Sequence, residues 1–242
     1  MNKNIINGSF NLEPGRILAR KYEVISRLGS GWEGEVYNIR ELDTNIERAA
    51  KLFFPNRNPK NRASLAYAKK LHALRDCPSV IQYHTRETMI YKKMPITIFI
   101  SEYVEGNILS EYLSRLPGKR LHPFQGIHLL HALSASLECI HRRGEYHGDL
   151  HTDNIIVLSH GLSYELKLLD FFHWGRARME NMHDDICNLV RIFYDVLGGR
   201  ARYSKHPPEV KEICCGLKRS LILKKFRTAT MLRVHLETQV WS

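Results

Sequence analysis

Polar and apolar positions alternate through the first part of this chain, and apolar residues recur at three- and four-residue intervals through most of the remainder. Residues 22–28, 35–42 and 45–54 are rich in β-branched and aromatic side chains. They are separated by a glycine cluster and by an Asp43-Thr44 turn, a pattern that predicts three strands in antiparallel succession. Residues 60–75, KNRASLAYAKKLHALR, have the composition of a helix, and residues 96–100 read as a further strand. In 124–143, Ile127, Leu130, Leu133, Leu137 and Ile140 fall at helical spacing and Gly144 supplies a stop. An apolar strand at 155–158, a hairpin through 159–163 and a second strand at 166–169 come next. From Asp185 onward, Ile186, Leu189, Val190, Phe193, Val196 and Leu197 predict a helix that ends at Gly198-Gly199.

Bulk properties narrow the picture. A chain of 242 residues with 43% hydrophobic content can bury a full core, as one large domain or as two packed lobes. The opening MNKNIINGSF lacks the charged-then-apolar order of a signal peptide, and no apolar run approaches bilayer-spanning length, so a cytoplasmic protein with no membrane span is expected. Five cysteines form no CxxC pair, and their odd number argues against a disulfide framework; reduced, packed thiols are expected. The formal charge of +11 is concentrated in residues 200–233, where ten Lys/Arg face Glu209 and Glu212 alone. Such a basic face suits nucleic acid, an acidic protein or a phosphorylated ligand, but the reading favoured is a solvated surface, with no nucleic-acid partner.

Candidate chemistry lies in three places. Gly29, Gly31 and Gly34 spell GxGxxG, and Glu35-Val36-Tyr37 returns at once to strand pattern where a dinucleotide-binding version would open a helix. The result is a GxGxxGxV hairpin, whose glycines let main-chain N–H groups come close to phosphate oxygens. Lys51 lies on the third strand, within Arg48-Ala49-Ala50-Lys51. Further along, His147-Gly148-Asp149-Leu150-His151-Thr152-Asp153-Asn154 precedes an apolar hairpin that leads to Leu169-Asp170-Phe171. His147 and His151 form HxxxH, which would suggest zinc on a helix; the intervening Gly148 and the strand after the loop argue against it.

These motifs resemble the protein-kinase superfamily over roughly residues 20–235. HGDLHTDN resembles the kinase HRDLxxxxN loop, Asp170-Phe171 the start of DFG, Lys51 the VAIK lysine and Ser101-Glu102-Tyr103-Val104-Glu105-Gly106 the kinase hinge. The resemblance implies an α+β, bilobal protein-kinase-like fold with an antiparallel-sheet small lobe, a mainly helical large lobe and a shortened activation segment. Residues 20–104 would form the N-terminal lobe and 105–242 the C-terminal lobe of one catalytic domain, with 1–19 as an N-terminal extension. It implies ATP and Mg as cofactors: Gly29, Gly31, Gly34, Val36 and Lys51 on the nucleotide, the main chain of Glu102 and Val104 on adenine, Ser101 as gatekeeper, Asn154 and Asp170 on the metal. Asp149 would orient the acceptor hydroxyl and take its proton.

Several departures qualify the resemblance. Kinases place a glutamate on the helix after the lysine strand, yet no acidic residue occurs between Lys51 and Asp76, which leaves Glu87 as a candidate partner. Gly148 replaces the arginine of HRD, Phe172 the glycine of DFG, and His151 a lysine usual in Ser/Thr kinases; there is no APE motif. HGDLH also resembles aminoglycoside-phosphotransferase-like enzymes. The expected function is phosphorylation of Ser/Thr on a protein substrate, itself included, with a small-molecule acceptor or a nucleotide-binding pseudokinase scaffold as alternatives. Asp185-Ile186-Cys187-Asn188-Leu189 resembles the start of the central large-lobe helix, with Asp185 bracing the catalytic loop.

Overall fold

The protein is described from a computed structural model that covers residues 9–160, 163–173, 175 and 177–239; residues 1–8 of the expected extension and the 161–162 turn of the hairpin lie outside the described residues. The chain divides into two compact units, one running to Arg75 and resuming over Ile81–Val104, the other made of Asp76–Val80 and everything from Glu105 on.

The first unit is a six-stranded antiparallel sheet in the order β1-β2-β3-β4-β6-β5, built from β1 (Ile17–Leu18), β2 (Tyr22–Ser30), β3 (Gly34–Glu41), β4 (Glu47–Phe53), β5 (Tyr83–Tyr91) and β6 (Met94–Glu102). Alternation sends Val24, Tyr37, Ile39, Ala50, Leu52, Ile98 and Ile100 to one face, where all are buried. Helix α1 (Arg62–Ala73) packs through Tyr67 on Phe99, with ring centroids 5.0 Å apart.

Residues 9–18, expected in an extension outside the catalytic domain, belong to this unit. Phe10 is 2% exposed and stacks on Phe54 at 5.3 Å, and β1 pairs with β2. The anchor is Glu35, a carboxylate with no exposed surface that accepts hydrogen bonds from the Ser9 hydroxyl, the Phe10 N–H and the Tyr37 hydroxyl, and pairs with Arg27 at 2.9 Å. Burial pushes the Glu35 carboxyl up, but Ser9, Tyr37, Phe10 and Arg27 outweigh it and hold the pKa below the usual value. Burial and the bond to Glu35 push the Tyr37 phenol up to about 12, so it remains a donor.

The second unit holds a small sheet, β7 (Asn107–Ile108), β8 (Ile155–His160) and β9 (Ser163–Leu168), with helices α2 (Leu109–Arg115), α3 (Pro123–Arg142), α4 (Met179–Val196), α5 (Gly199–Arg202), α6 (Pro208–Cys214), α7 (Arg219–Lys225) and α8 (Ala229–Thr238). Its core joins Leu130, Leu133 and Leu137 of α3 to Ile186, Leu189 and Phe193 of α4 and Leu232 of α8, each at most 1% exposed. Helix α4 begins six residues before Asp185, at Met179, after Asn181 accepts the Arg178 N–H at 3.0 Å. The segment between Asp170 and the helix is therefore shorter than the sequence suggested, and Asp185 lies in the helix interior.

Two further expectations change. Cys77, in the 76–80 segment, forms a disulfide with Cys139 of α3, so neither is the reduced packing thiol expected. The odd cysteine count concealed a pair whose loop spans 62 residues, because parity says nothing about which two side chains meet. Charge in the basic 200–233 region is partly neutralised inside the unit: Arg219 pairs with Asp184, Lys225 with Glu212, and Arg233 with the buried Glu138 and with Glu237. No helix among the described residues is long and apolar enough to cross a membrane.

The disulfide and the buried carboxylate each have a measurable signature. Alkylation under denaturing, non-reducing conditions should modify two fewer cysteines than after reduction, and Cys139→Ser should lower unfolding free energy by about 2–4 kcal/mol in urea titrations. Folding lowers the Glu35 pKa, so its stabilisation is complete above the ordinary carboxylate range and is lost as pH falls through the folded value. Glu35→Gln should therefore lower Tm at neutral pH and flatten its decline on acidification.

Candidate active site

In the sheet unit, β2 and β3 meet through Gly29, Gly31 and Gly34. The turn closes with a Gly31 N–H to Gly34 carbonyl bond of 2.9 Å. A Cβ at Gly34 would stand 2.0 Å from the Leu52 carbonyl oxygen, so that glycine is required by the neighbouring strand itself. At Gly29 and Gly31 a Cβ would meet nothing within 4 Å, which leaves main chain that a phosphate could approach. Trp32 at the tip is exposed, with the Arg57 guanidinium 4.0 Å over its ring.

Val36 pairs with Lys51 in the β3–β4 register and Lys51 with Phe99 in the β4–β6 register, which puts all three on the α1 side of the sheet. The Lys51 ammonium lies 3.0 Å from Glu33 Oε2, 5.4 Å from the Tyr67 ring centroid and 5.5 Å from that of Phe53. Glu87, the partner suggested by sequence, instead pairs with Lys21 at 2.7 Å. Sequence reasoning missed Glu33, the one acid inside GSGWEG, because the family pattern places the lysine's partner on a helix. Ser101 is buried near the end of β6. The Glu102 N–H donates to the Gln82 carbonyl at 2.9 Å while its carboxylate accepts the Gln82 N–H at 2.9 Å, and Val104 continues in chain outside any strand.

In the helical unit one carboxylate organises the loop. Asp185 has no exposed surface and accepts the N–H groups of His147 at 2.7 Å and Gly148 at 2.8 Å, with His141 Nε2 at 3.1 Å. The Asn154 amide donates to the Asp149 carbonyl at 2.8 Å and lies 3.4 Å from its carboxylate, and His151 Nε2 lies 3.0 Å from the same amide nitrogen. Asp149 and Asn154 are thus together, with the Asp149 side chain 61% exposed and Asn154 buried.

Asp170 is exposed and left-handed, at φ 50°, a region aspartate enters more readily than most residues. Its neighbours tie it to the loop: the Leu169 N–H donates to the Asn154 carbonyl at 2.9 Å and the Phe172 N–H to the His147 carbonyl at 2.8 Å. The His147 and Phe171 rings lie with centroids 4.4 Å apart and planes tilted by 30°.

Gly148, where the kinase motif has arginine, sits at φ 81° with a prospective Cβ 2.6 Å from the Tyr146 ring and 2.7 Å from the Phe172 Cβ. The two departures are therefore linked: Phe172 occupies space that only a glycine at 148 leaves. Gly148→Ala should cost about 1–3 kcal/mol or more from backbone strain together with overpacking, and Gly148→Arg, although it restores the motif residue, should cost at least as much. Thermal and urea unfolding of both variants measure this.

Comparison with known proteins bears on the family and the fold. The family model described as protein kinase domain matches residues 22–195. CBL-interacting protein kinase 12 of Oryza sativa subsp. japonica is 28% identical over 162 residues, covering 65% of this chain and 28% of its own length. Serine/threonine-protein kinase pkn2 of Myxococcus xanthus is 26% identical over 184 residues, covering 75% of this chain and 21% of its own. The chain thus spans less than a third of the length of these two relatives. The kinase domain of Mycobacterium tuberculosis PknI superposes with a TM-score of 0.68 at 18% identity, over 95% of this chain and 100% of that one. With a family model matched over most of its length and the corresponding fold, the chain belongs to the protein kinase family.

Proposed function

We propose that this chain transfers the γ-phosphoryl group of ATP to serine or threonine hydroxyls of a protein, itself included. The observation that carries this reading is the Asp149–Asn154 pair: an exposed carboxylate at the loop surface, steadied by an amide whose nitrogen points back to it. An acceptor hydroxyl can reach Asp149, be aligned, and give up its proton there. Because the Asn154 nitrogen is engaged with Asp149, its oxygen is the atom left to face a cation, and with an Asp170 carboxylate oxygen it makes the hard donor set that suits Mg²⁺. Bound there, Mg²⁺ would neutralise charge on the donor phosphates.

The sheet unit supports the nucleotide part of the reading. The absence of side chains at Gly29 and Gly31 would let phosphates come close to the hairpin main chain, Val36 shares a face with Lys51, and the Lys51 ammonium supplies positive charge for the α- and β-phosphates. Since the Glu102 N–H already donates to Gln82, its carbonyl would receive the adenine amino group, and Val104 would supply the neighbouring main-chain contacts. The names of the relatives, several of them serine/threonine kinases, favour a protein acceptor. His151 favours a second reading, a small-molecule acceptor, because its ring stands beside Asn154 where Ser/Thr kinases usually extend a lysine.

With γ-labelled ATP and Mg²⁺, the wild-type chain should label itself or added casein, and Asp149→Ala should lower the rate by about 10²–10⁴-fold. Equal labelling by both rejects the proposal. Labelling or ATP consumption that requires an added hydroxylated metabolite in place of protein would establish the second reading.

A further inference from the structure

We propose that Glu33, inside the glycine hairpin, is the carboxylate that positions Lys51 for the donor phosphates, a task the kinase family assigns to a helix glutamate. This inference rests on the phosphotransfer reading. Helix α1 cannot supply the group: Arg62–Ala73 contains no acidic residue, and it presents to Lys51 the ring of Tyr67, 5.4 Å from the ammonium. Glu87 is occupied by Lys21. Glu33 Oε2 stands 3.0 Å from Lys51 Nζ, in surroundings that leave only 13% of the lysine and 16% of the glutamate side chain exposed.

The main chain makes this contact more than a passing surface pair. The Glu33 carbonyl accepts the Phe54 N–H at 2.8 Å, next to β4, and Gly34 lies against the Leu52 carbonyl. Glu33 is therefore held to the lysine's own strand by backbone contacts that do not involve the side chain. A lysine has a flexible four-carbon stem and three ammonium donors. One donor directed at Glu33, with the Phe53 and Tyr67 rings flanking, restricts the stem and fixes where the ammonium is held. Because Glu33 sits between Gly31 and Gly34, hairpin placement and lysine orientation become one event.

The contrary role for the same contact is a plug, in which Glu33 competes with phosphate for Lys51. Steady-state labelling with full-length wild type, Glu33→Gln, Glu33→Asp and Asp149→Ala, together with binding of a fluorescent ATP analogue to wild type, Glu33→Gln, Lys51→Ala and Lys51→Ala/Glu33→Gln, separates the two. Positioning predicts that Glu33→Gln loses about tenfold in kcat/KM for ATP, the scale of a charge-assisted hydrogen bond, with part of the loss in kcat and partial recovery in Glu33→Asp. It also predicts that Glu33→Gln weakens analogue binding when Lys51 is present and changes nothing when Lys51 is absent. Unchanged or improved kcat/KM in Glu33→Gln, or an equal effect in both Lys51 backgrounds, overturns the inference while labelling that depends on Asp149 leaves the phosphotransfer reading intact. Equal labelling by wild type and Asp149→Ala removes the underlying reading instead.

Discussion

The helical unit is organised around a charge withdrawn from water. Asp185 sits in the middle of α4 with no exposed surface, a location that would be strongly unfavourable for a carboxylate without compensation. Compensation comes from the main-chain N–H groups of His147 and Gly148 and from His141. The loop bends around that carboxylate, and the bend sets the geometry of the neighbouring residues: Gly148 is left-handed, Asp149 is turned outward, and the His147 carbonyl is aimed at Phe172. Replacing the carboxylate would strip the buried His147 N–H and the part-buried Gly148 N–H of their acceptor at once, which makes Asp185 a structural condition for the shape of the loop.

How legible this was in the sequence depended on whether a feature was local. The HGDLHTDN spacing and the hairpin after it were readable because the loop, β8, β9 and Asp170 are consecutive, and short-range geometry leaves few ways to arrange them. Strands β2, β3, β4 and β6 were readable from alternation and β-branched content, and α3 from its apolar period, whereas β1 and β5 carry no such pattern. The start of α4 was not, since the residues from Met179 to Asp184 are mostly polar and carry no periodic apolar signal; an Asn181 cap and tertiary packing set the boundary. The Phe10 segment was missed for the same reason: one aromatic in a polar stretch has no period, and its burial depends on Glu35 and Phe54, remote in sequence. The Cys77–Cys139 bond is likewise a matter of three-dimensional proximity.

The site residues show a similar division. Val36 and Lys51, assigned by motif position, share a face of the sheet, and Asp149 and Asn154 touch. What the motif could not supply was a partner for Lys51, because the family pattern directs the search to a helix that here carries no acid. The compensating residue lay inside the glycine motif, in one of its unconstrained positions. A missing motif residue therefore says only that a position is empty, and the physical requirement, a carboxylate near an ammonium, can be met from another element.

That substitution changes how the sheet unit can respond. A glutamate on a helix makes lysine orientation depend on the helix, so movement of the helix can regulate the lysine. With α1 facing Lys51 through an aromatic ring, a shift of α1 would disturb packing but would not remove a carboxylate. The contacts that hold the hairpin then bear directly on Lys51. On one side of Gly34 the Glu33 side chain reaches Lys51, and on the other Glu35 is bonded to Ser9 and Phe10, whose ring stacks on Phe54. Phe54 in turn donates its N–H to the Glu33 carbonyl. The N-terminal segment, the hairpin and the lysine strand thus form a closed circuit of contacts within one unit, in which loosening Phe10 or Glu35 would be felt at Lys51 without any movement of α1.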